Sequence, residues 1–265
     1  MPARDGSPVV AREAATVLLA RDAGDAVEVL LLERHRASPM SPGAFAFPGG
    51  RVEVSDSPPD AERVCRGLTA AGAAARLPDV TPPERAVGFW IAALREAFEE
   101  TGLLLAYERT GSPVGLDAPR RLEYRGRCRT ASAGFHAMLL AEGWTLATDR
   151  MAYWAHWITP EERPIRYDTR FFVAAAFPHG APEPDGMEVV AFRWLTPEAA
   201  LAHHVAGDLM LPMVTQEILR SIAPYPTVAA LLAAAPARAI RPVRPRIAVA
   251  EGQERILLPD DPEWF

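Results

Sequence analysis

The sequence predicts an α+β fold, a mixed β-sheet with helices packed against it. Three patterns carry that prediction. Two short β-branched apolar runs flank a glycine near the N-terminus, one long segment repeats its apolar residues at helical spacing, and aromatic strand-like runs follow in the second half.

Taken in order, residues 14–20 (AATVLLA) and 26–32 (AVEVLLL) read as a hairpin across 21–25, which contains Gly24. Residues 39–50 form a Pro/Gly-rich loop with one short strand, and a helix is expected over 61–75 between turn signals. The strongest helix runs from about 83 to 101. Its Val87, Ile91, Leu94 and Phe98 are spaced four, three and four, one buried stripe, and Gly102 stands where helices stop. Residues 132–142 read as a further helix closed by Gly143, and 151–158, 169–177 and 189–195 as strands. Thr196-Pro197-Glu198 is a helix start, with Thr as the cap and Pro in the first turn. Helical patterns continue to about 235, and 246–258 reads as a terminal hairpin over Glu251-Gly252. With no repeat and no long linker, the expectation is one domain over 1–265.

Composition narrows the function. Of 265 residues, 49% are hydrophobic and 23% charged, enough to bury a sizeable core. A formal charge of −6 argues against a nucleic-acid-coating surface. All 28 basic residues are Arg, a bias shared with abundant Ala and Pro rather than a set of phosphate forks. Cys65 and Cys128 stand far apart in no CxxC pattern, so a disulfide framework or a cysteine zinc site is not expected. No apolar run approaches the roughly 20 residues of a membrane span. Met1-Pro2-Ala3-Arg4-Asp5-Gly6 lacks the apolar segment of a secretory signal, and Pro262-Glu263-Trp264-Phe265 is no peroxisomal address. The expectation is a soluble, cytoplasmic protein with a small-molecule partner, no nucleic acid and no membrane, and with a homodimer left open.

The informative segment is Arg95-Glu96-Ala97-Phe98-Glu99-Glu100-Thr101-Gly102-Leu103. On a helix Glu96, Glu99 and Glu100 stand at i, i+3 and i+4 and share one face, roughly opposite the apolar stripe. Three converging carboxylates are what Mg²⁺ or Mn²⁺ requires, since these ions prefer hard oxygen donors. A solvated acidic helix face would look the same at this level. Arg95, four residues before Glu99, is placed to hold that carboxylate in one rotamer. Upstream, Phe47-Pro48-Gly49-Gly50-Arg51-Val52-Glu53 places two glycines where backbone must approach a ligand closely.

These segments resemble the box of the Nudix hydrolase family, G-x5-E-x7-R-E-U-x-E-E-x-G-U with U apolar. Its second half matches at Arg95, Glu96, Ala97, Glu99, Glu100, Gly102 and Leu103. Gly50 takes the first glycine, and Asp56 stands where the family has Glu. Residues 57–94 lie between, 38 residues in place of seven. Loop closure grows only logarithmically with length, so such an insertion is tolerable. It resembles a branch of Nudix coenzyme A diphosphatases whose box is interrupted at this place. If the insertion only extends the box, 60–80 can be shortened with folding intact. If it caps the site or mediates dimerisation, KM or oligomeric state should change instead, and complete loss of folding would show that it belongs to the main core.

The resemblance implies a Nudix fold, a mixed sheet sandwiched between helices, with a helical insertion at 57–94 and a C-terminal extension from about 205. It implies a hydrolase that uses Mg²⁺ or Mn²⁺ to cleave a diphosphate bond. Glu96, Glu99, Glu100 and the carbonyl of Gly49 would hold metal, Arg95 would orient the carboxylates with Asp56, and Glu188 is the candidate for a later acidic ligand. Which Glu is the base varies across the family, and the sequence does not choose. The family's coenzyme A motif, LLTxR(S/A)x3Rx3Gx3FPGG, is met in register by Leu30, Leu31, Arg34, Gly43 and 47–50, with Pro39 in place of its second Arg and His35 in place of Ser/Ala. Arg34, Gly50 and Glu53 are therefore candidate substrate contacts, as are Arg166 and Arg170, which could clamp a phosphate or pair with acids. Coenzyme A is one substrate reading, NADH, ADP-ribose or a nucleoside triphosphate another, and a non-catalytic nucleotide sensor a third of a different class. Trp90, Trp154, Trp157 and Trp194 are expected in the core, and His203 and His204 lack zinc spacing.

Overall fold

The computed structural model describes residues 9–178, 180–250, 253–259 and 261. The segments read above for targeting signals, 1–6 and 262–265, lie outside them. Strands β1 (Arg12–Ala23) and β2 (Ala26–Arg34) form the expected hairpin on a tighter turn, with Ala23 paired to Ala26 and Gly24 at φ 62°. A two-residue turn requires that left-handed conformation, so the strands run past their apolar cores. The Pro/Gly loop holds two short strands rather than one, β3 (Phe45–Ala46) on β2 and β4 (Gly49–Arg51) on β1.

The helix expected over 61–75 is broken. A 3₁₀ turn at Ala61–Val64 gives way to left-handed Gly67 before α1 (Ala70–Arg76), which Thr69 caps by accepting from the Gly72 N–H. A second 3₁₀ turn, Pro83–Ala86, leads into α2 (Val87–Thr101), which Gly102 ends in the left-handed region. The insertion as counted from the box therefore contains the first two turns of this helix.

Strand β5 (Ala106–Tyr107) precedes α3 (Ala118–Thr130) and α4 (Ala133–Glu142), and pairs with β6 (Thr145–Leu146). The polar, Arg-rich composition of α3 hid its periodicity. Asp117, which accepts from the Arg120 N–H, and Pro119 in the first turn were its legible signal. Strands β7 (Met151–Ile158), β8 (Tyr167–Ala175) and β9 (Val189–Leu195) follow, then α5 (Pro197–Ala206) capped by Thr196, α6 (Met213–Ile222) and α7 (Val228–Ala234). Strand β10 (Pro242–Val243) joins the sheet, and β11 (Arg246–Ala250) pairs antiparallel with β12 (Gln253–Leu257); the turn between them lies outside the described residues.

The sheet runs β10-β7-β8-β1-β2-β3, with β4 also on β1 and β9 on β2. It is mixed, because β1 with β8 and β10 with β7 are parallel. Alternation along β1 sends Ala15, Val17 and Leu19 to one apolar layer and Leu18 and Ala20 to the other. The first layer holds α2 and α4, the second α6 and α7. A sheet buried on both faces between helices is the expected architecture. Among the described residues no helix is long and apolar enough to cross a membrane.

The insertion is part of the first layer rather than an appended flap. Ala61, Val64, Leu68, Ala73, Leu77 and Val80 are all buried in it. Fully burying one Leu or Val contributes about 1.5–3 kcal/mol, and a domain's whole stability is about 5–15 kcal/mol. Deleting 60–80 is therefore expected to abolish cooperative unfolding in a denaturant titration. A soluble deletion variant with a wild-type midpoint would show that these residues are dispensable.

Candidate active site

Helix α2 is buried on nearly every side, not along one stripe. Among its residues only Glu96, Glu99 and Glu100 escape full burial. The i, i+3, i+4 spacing gathers them on one face, and the sheet places β4 against that face. The Gly49 N–H donates to Glu100 Oε2 at 3.0 Å. Neither glycine of β4 has room for a side chain. A Cβ on Gly49 would stand 2.6 Å from the Ala15 carbonyl oxygen, and one on Gly50 would fall on the Glu96 carboxylate. Close backbone approach is thus the reason for the paired glycines.

Arg95 is the hinge of the arrangement. It is 3% exposed and uses all five guanidinium N–H groups. Nε and Nη2 donate to Asp56 Oδ1 and Oδ2 at 2.8 and 3.0 Å, Nη1 to Glu96 and Glu99 at 2.9 and 3.2 Å, and Nη2 also to the Arg51 carbonyl at 2.9 Å. Asp56, 1% exposed, also accepts from the Glu53 N–H at 2.8 Å. Burial opposes the charge on Arg95, but its bonds to Asp56 and the charges of Glu96, Asp56 and Glu99 outweigh that, and the guanidinium is held charged. Burial pushes the Glu96 carboxyl up to about 7 against the pull of Arg95, and raises Glu99 and, further, Glu100.

Glu96, Glu99 and Glu100 line a cavity, and Glu188 lines it too from the loop before β9, close enough for its charge to add to the upward shift of Glu99 and Glu100. Asp185 shapes that loop, its Oδ1 accepting from the N–H groups of Met187, Glu188 and Val189 at 2.9–3.0 Å. Arg34, Gly50 and Glu53 also line the cavity, and the Arg34 charge acts on Glu100 in the downward sense. Glu53 lies 3.6 Å from Arg51.

Arg166 and Arg170 do not reach the site. Tyr167, Thr169 and Phe171 of β8 line the cavity, and neither arginine is among its lining residues. Arg166 donates to the carbonyls of Thr159 and Val9. Arg170, 3% exposed, pairs with Asp168 and with Asp79 of the insertion and lies over the Phe89 ring. Both are structural clasps.

The sequence reading missed Arg125, because α3 was missed. Its Nε and Nη2 donate to the Glu99 carbonyl at 3.1 and 2.8 Å, anchoring the last turn of α2 with a cation where the helix dipole favours one. The expected core tryptophans Trp90, Trp154 and Trp157 are buried and Trp194 is partly so, while Trp157 also borders the cavity. His203 pairs with Asp208, and His204 Nδ1 lies 3.0 Å from the Leu209 carbonyl oxygen and 3.2 Å from the Leu211 nitrogen, so both serve the turn after α5. Cys65 and Cys128 are free and buried, each thiol pushed up to about 12 by burial.

The acids fit a divalent cation by donor chemistry. Among the described residues no three acidic, His or Cys side chains are already closed around one point. Each of the three glutamates nevertheless gives only one oxygen to Arg95 or Gly49, and the other accepts no hydrogen bond from a described residue. Three half-buried, mutually repelling carboxylates are stabilised by a cation brought among them.

Comparison with known proteins shows the family and the fold. The model of the NUDT19 Nudix domain matches residues 71–220. The acyl-coenzyme A diphosphatase NUDT19 of Gallus gallus is 29% identical over 76% of this chain and 65% of its own length. That of Homo sapiens is 30% identical over 69% of this chain and 57% of its own. The chain thus spans about three-fifths of the length of these relatives. Among solved structures, a NUDIX hydrolase from Alicyclobacillus acidocaldarius superposes with a TM-score of 0.69 at 25% identity, covering 85% of this chain and 96% of that one.

Proposed function

Since the chain belongs to the NUDT19 Nudix domain family and has the Nudix fold, we propose that it is a metal-dependent diphosphatase acting on coenzyme A or its acyl thioesters, with 3′,5′-ADP and (acyl-)4′-phosphopantetheine as products. One observation carries the reading: Glu96, Glu99 and Glu100, ordered by Arg95 and Gly49, stand in one wall of a cavity of about 1210 Å³ that Arg34 also lines. The relatives' name, acyl-coenzyme A diphosphatase, supports the substrate class.

The three glutamates, the Gly49 carbonyl and Glu188 would hold Mg²⁺ or Mn²⁺. When bound, such an ion neutralises diphosphate charge and makes water a better nucleophile near neutral pH. The chain's own part is positional. Arg95 and the Gly49 N–H hold the carboxylate rotamers before substrate arrives, and Arg125 fixes the backbone that carries them. Gly50 keeps the floor of the cavity open beside Glu96.

A substrate panel with added Mg²⁺ or Mn²⁺, read by mass, tests the reading with coenzyme A, acyl-coenzyme A, NADH, ADP-ribose and nucleoside triphosphates. Coenzyme A compounds are expected to lead. Arg34, one of the arginines that line the cavity, would pair with the 3′-phosphate of coenzyme A, and a charge-assisted bond contributes roughly 1.5–3 kcal/mol. Dephospho-coenzyme A should therefore be poorer by roughly ten- to a hundredfold in kcat/KM, and Arg34→Ala should erase most of that gap. Equal rates on the two compounds would remove Arg34 from the substrate site. Vigorous turnover of NADH or ADP-ribose with none of coenzyme A would overturn the substrate class.

A further inference from the structure

The cavity that holds the acids does not end at them. At about 1210 Å³ it exceeds the usual range for a drug-sized ligand, roughly 300–1,000 Å³, and a diphosphate fills a small part of it. The glutamates stand on the α2 side of the sheet. Phe47, Trp157 and Phe171, which line the same cavity, belong to the apolar layer on the opposite side. The cavity therefore passes from a charged limb to an apolar one.

The apolar limb is completed by the C-terminal part of the chain, the part that the Nudix box leaves unexplained. Met213 and Val214, in the first turn of α6, line it and are only partly buried. Ile256 on β12 also lines it and remains 41% exposed. The hairpin of β11 and β12 is tethered at this place, since Arg163 between β7 and β8 pairs with Glu254 at 2.8 Å. These apolar side chains point into a space continuous with the acidic site, and they are incompletely covered by the protein itself.

We propose that this limb is a binding subsite for the hydrocarbon chain of an acyl thioester, and that Met213, Val214 and Ile256 set the chain-length preference. The inference rests on the coenzyme A reading above, because continuity with the diphosphate site is what selects this occupant. The chain and the diphosphate belong to one molecule, and the cavity joins an apolar end to a polyanion-binding end. A methylene moved from water into such a limb contributes roughly fourfold in affinity.

The test measures kcat/KM on coenzyme A and its acetyl, octanoyl and palmitoyl thioesters with the full chain. The wild type is expected to gain at least about tenfold from acetyl to palmitoyl, because several methylenes enter the limb. Ile256→Asp and Val214→Asp are expected to cut the palmitoyl-to-acetyl ratio by at least about tenfold, mostly through KM, since a carboxylate there must be desolvated by the chain. Ile256 is exposed enough that its variant should fold, and a thermal melt checks it. No rise with chain length, or equal losses on every thioester, would overturn the subsite. Failure of the coenzyme A reading is recognised separately, as no turnover of any thioester beside turnover of another nucleotide. In that case equilibrium binding of cis-parinaric acid reads the limb alone. Saturable binding to the wild type that Ile256→Asp weakens supports an apolar-chain site, and absence of binding refutes it.

Discussion

Glu99→Gln is expected to reduce turnover at least a hundredfold, roughly 3 kcal/mol of barrier, without lowering the melting temperature. The amide keeps the shape of the side chain but loses the negative charge that a divalent cation needs. Its effect on folding has the opposite sign. Burial raises Glu96 to about 7 and also lifts Glu99 and Glu100, so each carboxyl is more basic folded than unfolded. Such groups favour the folded state while protonated and cost stability as pH rises from the unfolded carboxylate range through the folded value. Without metal, Glu99→Gln should therefore melt at or above the wild-type temperature at about pH 8, where the wild type carries the penalty. Added Mg²⁺ should raise the wild-type melting temperature more at about pH 8 than at about pH 5, and raise the variant less. Full activity in Glu99→Gln, or a melting temperature indifferent to Mg²⁺ at both pH values, would sink the metal assignment.

Arg95→Ala is expected to fail more completely, by losing the fold as well as the activity. Asp56 would be left 1% exposed with no cation, and the Arg51 carbonyl would lose its guanidinium donor. Removing one partner of a buried pair typically costs about 3–5 kcal/mol, a large share of a domain's stability. Arg95→Lys should not rescue it, because an ammonium on a flexible stem cannot make the bidentate bond to Asp56 while also reaching two glutamates and a carbonyl. The double variant Arg95→Leu with Asp56→Leu separates the two roles. It should recover most of the stability and none of the turnover, since the buried charge is gone but the glutamates lose their guide. Denaturant unfolding checks both. A single Arg95→Ala variant within about 1 kcal/mol of wild type would show that the guanidinium does not hold this region together.

What was legible in the sequence was what depends on neighbours a few residues away. A helical period of 3.6 brings Glu96, Glu99 and Glu100 onto one face wherever the helix lies, and Arg95 reaches Glu99 by the same rule. Gly102 and Thr196 mark helix ends through local backbone conformation and a local hydrogen bond. Arg95 and Asp56 were paired by family resemblance, although 38 residues separate them, and the structure places them in contact.

Where the chain doubles back on itself, only the tertiary structure decides. Arg166 and Arg170 were candidates because they are arginines near a strand start, but their partners, the Val9 carbonyl for Arg166 and Asp79 with the Phe89 ring for Arg170, come from distant segments that only the fold brings to them. The insertion carries small apolar residues with no clear period, so nothing local reveals that they fill the first apolar layer. Arg125 reaches Glu99 only because α3 packs across the end of α2. Ile256 enters the cavity wall from the far end of the chain, brought there by the tether of its hairpin to Arg163. The sequence by itself determined the box chemistry, because dihedral preferences and side-chain spacing act over a turn of helix. The tertiary structure decided the cavity, because its walls come from segments as far apart as Ala14 and Ile256, whose meeting is selected by burial of apolar surface and pairing of buried charge.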